Sequence, residues 1–480
     1  MNENNRQNEE LRDGVEESFA YVGKEPKRVK LSNAVCAVII GVVFAVLLTF
    51  SLCTIFDIIH SPRPDYGENN NQGNSYTGNV EGGSNAEIPS YFDNLIILDK
   101  IFKQYSFNGF DEAEMSEAIL DAYIAATGDI YAEYLNAQEY EDYFSDRRGE
   151  LVGIGVSVVQ SEITLNGFDY TVIQIISVFK DSPAMENGVL PGDAIMFVKD
   201  GEENKMVDEI GYTQALDIML GEAGTKAEFT VYRPKSSDYE IIDFSIERRK
   251  VTSETVTFRV SETDKKVGII NITGFDLTTP TQFKEAINTL RDVNKCEYFV
   301  FDVRNNPGGS LNSIVAVLSY FLNEGDLIVS TEYSTGEIEE IFAREVNYVT
   351  QYDGLDVKKE EIGMYKDLEC IVITNENTAS AAELFTATLR DYGIAEVVGV
   401  KSYGKGCMQN TLSLESFGIE GGIRVTTAMY YSKSKTVYHG TGIVPDHYVE
   451  LSEEAKKINF FLLPEEKDDQ LLTAIEKLVK

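Results

Sequence analysis

Two short segments near the C-terminal end carry side chains that could together hydrolyse a peptide bond. The first is Asn377-Thr-Ala-Ser-Ala-Ala-Glu383, which contains Ser380, and the second is Tyr403-Gly-Lys-Gly-Cys-Met-Gln409, which contains Lys405, 25 residues after the serine. A serine hydroxyl becomes a nucleophile when a neighbouring base takes its proton, and a lysine with a lowered pKa can be that base. The two segments therefore predict a hydrolase of Ser-Lys type, in which Gln409 could orient the amine.

Each of these residues also has an ordinary structural interpretation. Ser380 followed by Glu383 has the pattern of a helix capping box, and a lone lysine is most often a solvated surface residue. To act as a base near neutral pH, Lys405 needs its pKa lowered from about 10.4 to roughly 7 or 8, which burial away from carboxylates achieves. Its neighbours Tyr403 and Cys407 carry no carboxylate. If Ser380 does open a helix, the free amides there could also stabilise an oxyanion.

Two other chemistries fit the sequence less well. A Ser-His-Asp triad is possible, but the chain has only three histidines that could act as its base. A phosphate loop would match Gly399 to Lys405, but Gly406 stands where Ser or Thr should hold magnesium, and a strand is predicted where that loop requires a helix. The cysteines show neither a metal spacing nor a disulfide framework, so we expect no metal and no cofactor.

Composition limits the partners. A chain of 480 residues with 43% hydrophobic content can form two or three domains with cores of their own. Its net charge of -37 repels nucleic acid, so we expect no nucleic-acid partner.

Residues 34–56 predict a membrane anchor. They form a run of 23 residues without a charge, which as a helix would span roughly 35 Å and so cross a bilayer. Four basic residues lie between Lys24 and Lys30, and only Arg63 follows closely. This bias predicts a single-pass protein of the cell membrane with its N-terminus in the cytoplasm and its catalytic part outside. A cleaved signal peptide is the alternative, but the run is long for one and lacks a small-residue cleavage site.

The sequence divides into several further segments. An Asn-, Gly- and Ser-rich stretch predicts a flexible linker, helical periodicity follows it, and short alternating runs then predict a β-rich module. Repeated strand-turn-helix units predict a layered α/β domain, so the fold class is mixed α/β with a separate β-rich insertion. The expected segments are 1–33 cytoplasmic, 34–56 transmembrane, 57–90 linker, 91–148 helical, 149–235 β-rich, 236–450 α/β and 451–480 a helical tail.

A glycine turn follows one of the predicted buried strands. The residues Asp302-Val-Arg-Asn-Asn-Pro-Gly-Gly309 come after the apolar run that begins at Tyr298 and precede an amphipathic helix. Glycine amides in such a turn can approach a ligand closely. We expect Asp302 and Arg304 to be a structural pair rather than catalysts.

Taken together, these segments resemble the carboxy-terminal processing peptidases, also called tail-specific proteases. Their serine lies in a segment like SASASE, here Thr378-Ala-Ser-Ala-Ala-Glu383, and their lysine in FGKGxxQ, here Tyr403 to Gln409. Their DxRNNPGG turn is matched by Asp302 to Gly309, and their GI-PD element by Gly442-Ile-Val-Pro-Asp446. The resemblance covers roughly residues 90 to 450.

The resemblance implies a serine endopeptidase that cleaves extracytoplasmic proteins near their C-termini through an acyl-enzyme. Its fold would be a crotonase- or ClpP-like layered ββα domain. Ser380 would be the nucleophile, Lys405 the general base and Gln409 the residue that orients it. The oxyanion hole would be formed by the backbone amides of these residues: Gly308 or Gly309, and Ala381.

The β-rich module is similar to a PDZ domain, which captures a peptide C-terminus through backbone amides. Its carboxylate-binding loop would be Val152-Gly153-Ile154-Gly155. The partners would be proteins or peptides with free C-termini, and the oligomeric state is left open, a homodimer included. Leu220 stands where relatives often carry an Arg that couples the PDZ position to the active site.

Two other functions remain open from the sequence. The chain could be a PDZ-containing peptide-binding scaffold with an inactive protease-like domain, although the intact Ser380, Lys405 and Gln409 argue against it. Acyl-CoA chemistry on a crotonase-like domain is suggested only by the layered strand-helix repeats.

Overall fold

The computed structural model describes residues 90–107, 109, 111–165, 167–235, 239–347, 356–435 and 438–479. The expected membrane segment at residues 34–56 lies outside this range. Within the described residues, no helix combines the length and the apolar character needed to cross a bilayer. The chain separates into two units after Asp111, and the first unit contributes helix α1 (Ser90–Tyr105).

The second unit opens with helices where helical periodicity predicted them. They are α2 (Glu112–Ala126) and α3 (Ala137–Arg148), with the short strand β1 (Glu133–Leu135) between them. The start of α3 is a complete capping box, in which Asn136 accepts from the amides of Gln138 and Glu139 and the Glu139 carboxylate accepts from the Asn136 amide.

The β-rich module follows. Its elements are β2 (Glu150–Gly153), β3 (Val156–Leu165), β4 (Phe168–Val178), α4 (Pro183–Glu186), β5 (Ala194–Asp200), β6 (Glu203–Met206), α5 (Val207–Ile210), α6 (Tyr212–Met219), β7 (Lys226–Pro234), β8 (Tyr239–Glu247) and β9 (Arg249–Thr252). The main sheet has the order β3-β4-β5-β7-β8, β6 pairs with β5, and β2 pairs separately with β9.

The module extends further along the chain than residue 235, where the sequence placed its boundary. Strand β8 is antiparallel to β7 along its whole length, from Lys226 opposite Glu247 to Pro234 opposite Tyr239. The polar residues between these strands in the sequence interrupt the apolar pattern, and such an interruption gives the same local signal as a linker between domains. The first strand of the next domain begins at Val256.

Within the described residues, the α/β domain contains two main sheets, the separate two-stranded pair β15-β16 and four α-helices. Its elements are β10 (Val256–Val260), β11 (Val267–Ile272), α7 (Thr279–Asn288), β12 (Tyr298–Asp302), α8 (Leu311–Ser319), β13 (Leu327–Tyr333), β14 (Ile338–Phe342), β15 (Val346–Asn347), β16 (Asp356–Val357), β17 (Glu369–Thr374), α9 (Ala381–Asp391), β18 (Ala395–Gly399), β19 (Cys407–Ser413), β20 (Gly422–Tyr431), β21 (His447–Tyr448) and α10 (Asp469–Leu478). The strand predicted from the apolar run that begins at Tyr298 is present as β12.

The larger sheet has the order β10-β11-β12-β17-β18-β21 and is parallel from β11 onward. Phe299 and Phe301 on β12 face one core with helices α7, α8 and α9, whereas Val300 faces the opposite core with α10. A parallel strand covered on both faces needs apolar residues at every position, which explains the uninterrupted run in β12. The smaller sheet has the order β1-β20-β13-β14, with β19 paired to β20.

Candidate active site

The ends of two neighbouring parallel strands bring the glycine turn and the serine segment together. Strands β12 and β17 pair in register, and the loops after them are joined by hydrogen bonds. The Asn375 side chain accepts from the Asn305 amide and donates to the Asn305 side chain, both at 2.9 Å. The Ala379 amide donates to the Asn306 carbonyl at 2.9 Å. Because parallel strands end at the same edge, side chains after both strands meet there.

Ser380 is held in an unusual backbone conformation at the start of α9. Its φ of 56° and ψ of -120° lie in a region that L-residues rarely adopt. The side chain lines a cavity of about 600 Å³, which Lys405 and Gln409 also line. The structure therefore brings the three predicted catalytic side chains to one cavity. The amide of Ser380 donates to the Glu383 carboxylate at 3.0 Å, as in the predicted capping box.

The three backbone amides expected in the oxyanion hole, from two glycines and an alanine, differ in whether they already have a hydrogen-bond acceptor. Within the described residues, no acceptor pairs with the amides of Gly309 and Ala381, and both residues line the cavity. The Gly308 amide instead donates to the Asn306 side chain at 2.8 Å. The Gly308 N–H is therefore paired within the turn, which favours Gly309 as the glycine donor of the oxyanion hole.

Gly308 has a different function in the structure. A Cβ added to it would lie 2.6 Å from the Ser380 Cβ and 2.9 Å from the Ala381 nitrogen. Its φ of 105° is also a conformation that favours glycine. The residue thus lets the turn pack directly against the serine.

Lys405 lies in the loop before β19, and its amine rests on an aromatic ring. The Nζ atom is 4.6 Å from the centre of the Tyr131 ring. Within the described part of the chain, no hydrogen bond joins Nζ to Ser380 Oγ. Burial lowers the pKa of Lys405, and the guanidinium groups of Arg424 and Arg147 lower it further, whereas Cys407 and Glu133 act in the opposite direction.

The Glu383 carboxylate connects the start of α9, where Ser380 lies, to the loop that contains Lys405. One carboxylate oxygen accepts from the amides of Ser380 at 3.0 Å and Lys405 at 2.7 Å. The other oxygen accepts from the Gly404 amide at 2.7 Å and the Ser402 hydroxyl at 2.5 Å. Burial raises the pKa of this carboxyl while the four donors oppose the rise. The capping pattern indicated only the contact with Ser380, because the loop contacts are remote in sequence.

Tyr430 is a residue of the site that sequence reasoning missed. Its hydroxyl donates to the Lys405 carbonyl at 2.7 Å, and the same oxygen lies 3.4 Å from Ser380 Oγ. Burial raises the pKa of Tyr430 far above its ordinary value, so the phenol stays protonated. Nothing in the local sequence around β20 distinguishes it from a core tyrosine.

The Gln409 side chain contacts residues other than Lys405. Its amide nitrogen lies 3.2 Å from both Cys407 Sγ and Thr426 Oγ1, and Asp129 in turn accepts from Thr426 at 2.9 and 3.0 Å. Gln409 lies within β19, whereas Lys405 precedes this strand, which begins only at Cys407. Its register against β20 also shifts just before Gln409.

The expected carboxylate-binding loop is partly a strand. Val152 and Gly153 belong to β2 and pair with β9, whereas Ile154 and Gly155 form the turn that follows. No acceptor pairs with the amides of these two turn residues within the part of the chain that the structure describes. Leu220, directly after α6, is 61% exposed.

Asp302 and Arg304 form the structural pair that the sequence predicted. The Arg304 guanidinium is buried and donates to Asp302 at 2.9 and 2.6 Å and to Asp468 at 2.9 and 2.7 Å. These contacts fasten the segment before α10 to the end of β12. They leave the pair no part in the cavity around Ser380.

Comparisons with known proteins give a consistent result. Residues 266–449 match the model of peptidase family S41. The chain is 29% identical over 380 residues to a carboxy-terminal-processing protease of Bartonella bacilliformis, which covers 78% of each chain. It is 26% identical over 365 residues to a protein assigned as a CtpA-like serine protease in Staphylococcus aureus, covering 76% of this chain and 66% of that one.

A solved structure of a candidate S41 protease from Bacteroides fragilis has the same fold. It matches 80% of this chain and 96% of its own with a TM-score of 0.50 at 17% identity. This likeness supports the mixed α/β architecture.

Proposed function

Because residues 266–449 form a peptidase family S41 domain and the chain is a serine-type peptidase, we propose that Ser380 and Lys405 are its catalytic dyad. The observation that carries the proposal is the cavity that they share with Gly309 and Ala381, whose amides have no acceptor in the part of the chain that the structure describes. A nucleophile, a base and an oxyanion site within one cavity are the parts that acyl transfer requires.

The reaction follows from these positions. The Lys405 amine takes the proton of Ser380 Oγ as this oxygen attacks the scissile carbonyl, and the Gly309 and Ala381 amides hold the oxyanion. The protonated Lys405 then gives the proton to the leaving amine, and water hydrolyses the acyl-enzyme by the same steps. Since Nζ rests on Tyr131, the lysine side chain must turn toward Ser380 before the first step.

We further propose that the β-rich module binds the C-terminal tail of the substrate. Strand β3 is an edge strand of its sheet, to which an extended tail can add. Val156 of β3 and Leu216 and Met219 of α6 pack against the module's core and offer apolar walls. The amides of Ile154 and Gly155, which have no acceptor among the described residues, lie just before β3, where they could bind the terminal carboxylate.

The site of action is proposed from the sequence alone. The uncharged run at residues 34–56 and the basic residues before it favour an enzyme anchored in the cell membrane with the peptidase outside. Its substrates would then be extracytoplasmic proteins cleaved near their C-termini.

The dyad is tested with an unstructured protein that ends in an apolar tail. Replacing Ser380→Ala or Lys405→Ala should reduce kcat/KM by roughly 10³-fold or more, since removing either member disables the unit. Lys401→Ala is the matched control, because this exposed lysine lies in the same loop and should retain activity. Equal cleavage by wild type and both dyad variants would overturn the assignment. Tail binding without any cleavage by wild type would favour the scaffold hypothesis.

A further inference from the structure

The cavity around Ser380 has the opposite charge to the rest of the molecule. The chain as a whole carries 79 acidic and 42 basic residues. The residues that line the cavity include Arg147, Arg148, Lys405 and Arg424, and no Asp or Glu is among the described ones. Such a local reversal concentrates anions in a cleft from which the rest of the protein would repel them.

Arg147 is one of the cations that line the cavity; burial raises the pKa of the adjacent Asp146, and Arg147 opposes that rise. It is half-buried at the end of α3, and its guanidinium carbon lies 5.0 Å from the centre of the Tyr143 ring. No carboxylate within the described residues forms an ion pair with it. The ring fixes the side chain without neutralising it.

Arg424 reaches the same ring from strand β20. Its guanidinium carbon lies 5.7 Å from the Tyr143 ring centre, and one nitrogen pairs with Glu133 at 3.0 Å. Its Nε is buried and has no hydrogen-bond partner within the described residues. A buried donor without an acceptor is unfavourable unless a ligand supplies one. Arg148 differs, since it is bound to Glu150 and Ser145.

Both guanidinium groups lie near the proposed catalytic lysine. Arg424 and Arg147 are the two cations that lower the pKa of Lys405. Lys405 itself must be neutral to act as a base, so the permanent positive charge in the cavity comes from the arginines.

We propose that Arg147 and Arg424 form an acid-selective subsite, which makes the enzyme prefer substrates with Asp or Glu close to the scissile bond. A carboxylate there can accept two hydrogen bonds from a guanidinium fork. This inference rests on the proposed function and names the substrate class of the same site.

The test uses quenched fluorescent peptides with one apolar C-terminal tail. In each pair, a single Asp or Glu is moved through the four positions on either side of the cleaved bond and compared with Asn or Gln at the same place. Wild type should show at least one position where the acidic peptide has a kcat/KM roughly tenfold higher, and this ratio should fall as salt rises.

Substitution of the arginines identifies the subsite. Arg147→Gln and Arg424→Gln should each reduce the ratio, and the double variant should bring it to about 1. Arg291→Gln is the matched control, because Arg291 also lies over a tyrosine ring and pairs with an acidic residue, but outside the cavity. It should keep the wild-type ratio.

The possible failures are distinguishable. If neutral peptides are cleaved in a Ser380-dependent manner but no position favours acid, the subsite is refuted while the proposed function stands. A ratio that survives in the double variant also refutes it. If no peptide is cleaved, binding of the same pairs to Ser380→Ala is measured by fluorescence anisotropy, where equal affinity for acidic and neutral peptides would refute the subsite independently of catalysis.

Discussion

At the scale of single residues, the environment of Lys405 decides whether it can be a base. Its side chain is half-buried against Tyr131, and apart from Cys407 the groups that influence its pKa come from distant parts of the chain. Arg424 favours the neutral amine, and Glu133 favours the ammonium. Because the neutral amine is the reactive form, kcat/KM should rise with pH through the pKa of Lys405, which lies below its ordinary value of 10.5.

The two neighbouring charges should move this rise in opposite directions. Arg424→Gln removes a cation that lowers the pKa of Lys405, so the rise should move to higher pH. Glu133→Gln removes a carboxylate that raises this pKa, so the rise should move to lower pH. Both shifts are measured as kcat/KM against pH with a neutral peptide. Shifts of both variants in the same direction would contradict this account of the base.

At the scale of elements, the turn between β12 and α8 positions the oxyanion site. The Asn306 side chain accepts from the Gly308 amide and donates to the Ile272 carbonyl at 2.8 Å. The Gly308 carbonyl accepts from the Phe275 amide at 3.0 Å. Gly308 is fixed in this way, whereas the Gly309 amide has no acceptor among the described residues and Gly309 lines the cavity.

Substitution of Gly308 should damage the site more than the fold. Gly308→Ala places a methyl group 2.6 Å from the Ser380 Cβ, so the turn and the serine must move apart. We expect kcat/KM to fall roughly 100-fold or more, since a displacement of about 1 Å can have that effect. Gly325→Ala is the control, because Gly325 has a similar φ of 89° but open space around its Cβ position. Equal activity in the two variants, measured alongside thermal unfolding, would show that Gly308 does not support the oxyanion site.

At the scale of the whole molecule, the C-terminal segment closes the α/β domain on the face away from α7, α8 and α9. Leu471 and Ile475 of α10 pack on the sheet. Before α10, the buried Glu465 accepts from Ser261 at 2.5 Å, from the amides of Thr263 and Glu262 at 2.9 and 3.1 Å, and from Arg259. These contacts bind the last residues to the first strand of the domain.

Glu465 should make stability depend on acid pH. Burial alone would raise the pKa of Glu465. Hydrogen bonds from Arg259, Ser261 and backbone amides outweigh burial and lower this pKa from 4.5 to about 2. A carboxyl whose pKa is lower in the folded state than in the unfolded state stabilises the fold at any pH above its unfolded-state pKa. This stabilisation is lost as the pH falls toward the folded-state pKa. Glu465→Gln should therefore lower Tm by a few degrees near pH 7, and the difference from wild type should shrink between about pH 4.5 and 2. The exposed neighbour Glu466→Gln should show no such trend, and a difference that stays constant with pH would disprove the assignment.

The sequence by itself determined the features that depend on nearby residues. The apolar run of β12 predicted a strand covered on both faces, and the structure has that strand. The pattern of Ser380 and Glu383 predicted the start of α9, and the spacing of Asp302 and Arg304 predicted a structural pair. Residue type and local periodicity are sufficient for such features, because their partners lie within one or two turns of chain.

Only the tertiary structure decided which groups face the cavity. Packing decided that the amide of Gly308 is hydrogen-bonded within the turn and that the Gln409 side chain contacts Thr426. It also placed Arg147 and Arg424, which are 277 residues apart, against one tyrosine ring. It also continued the β-rich sheet to Glu247. The physical reason is common to all of these. The direction of an N–H bond and the distance between remote side chains follow from the packing of whole elements, and local sequence does not encode that packing.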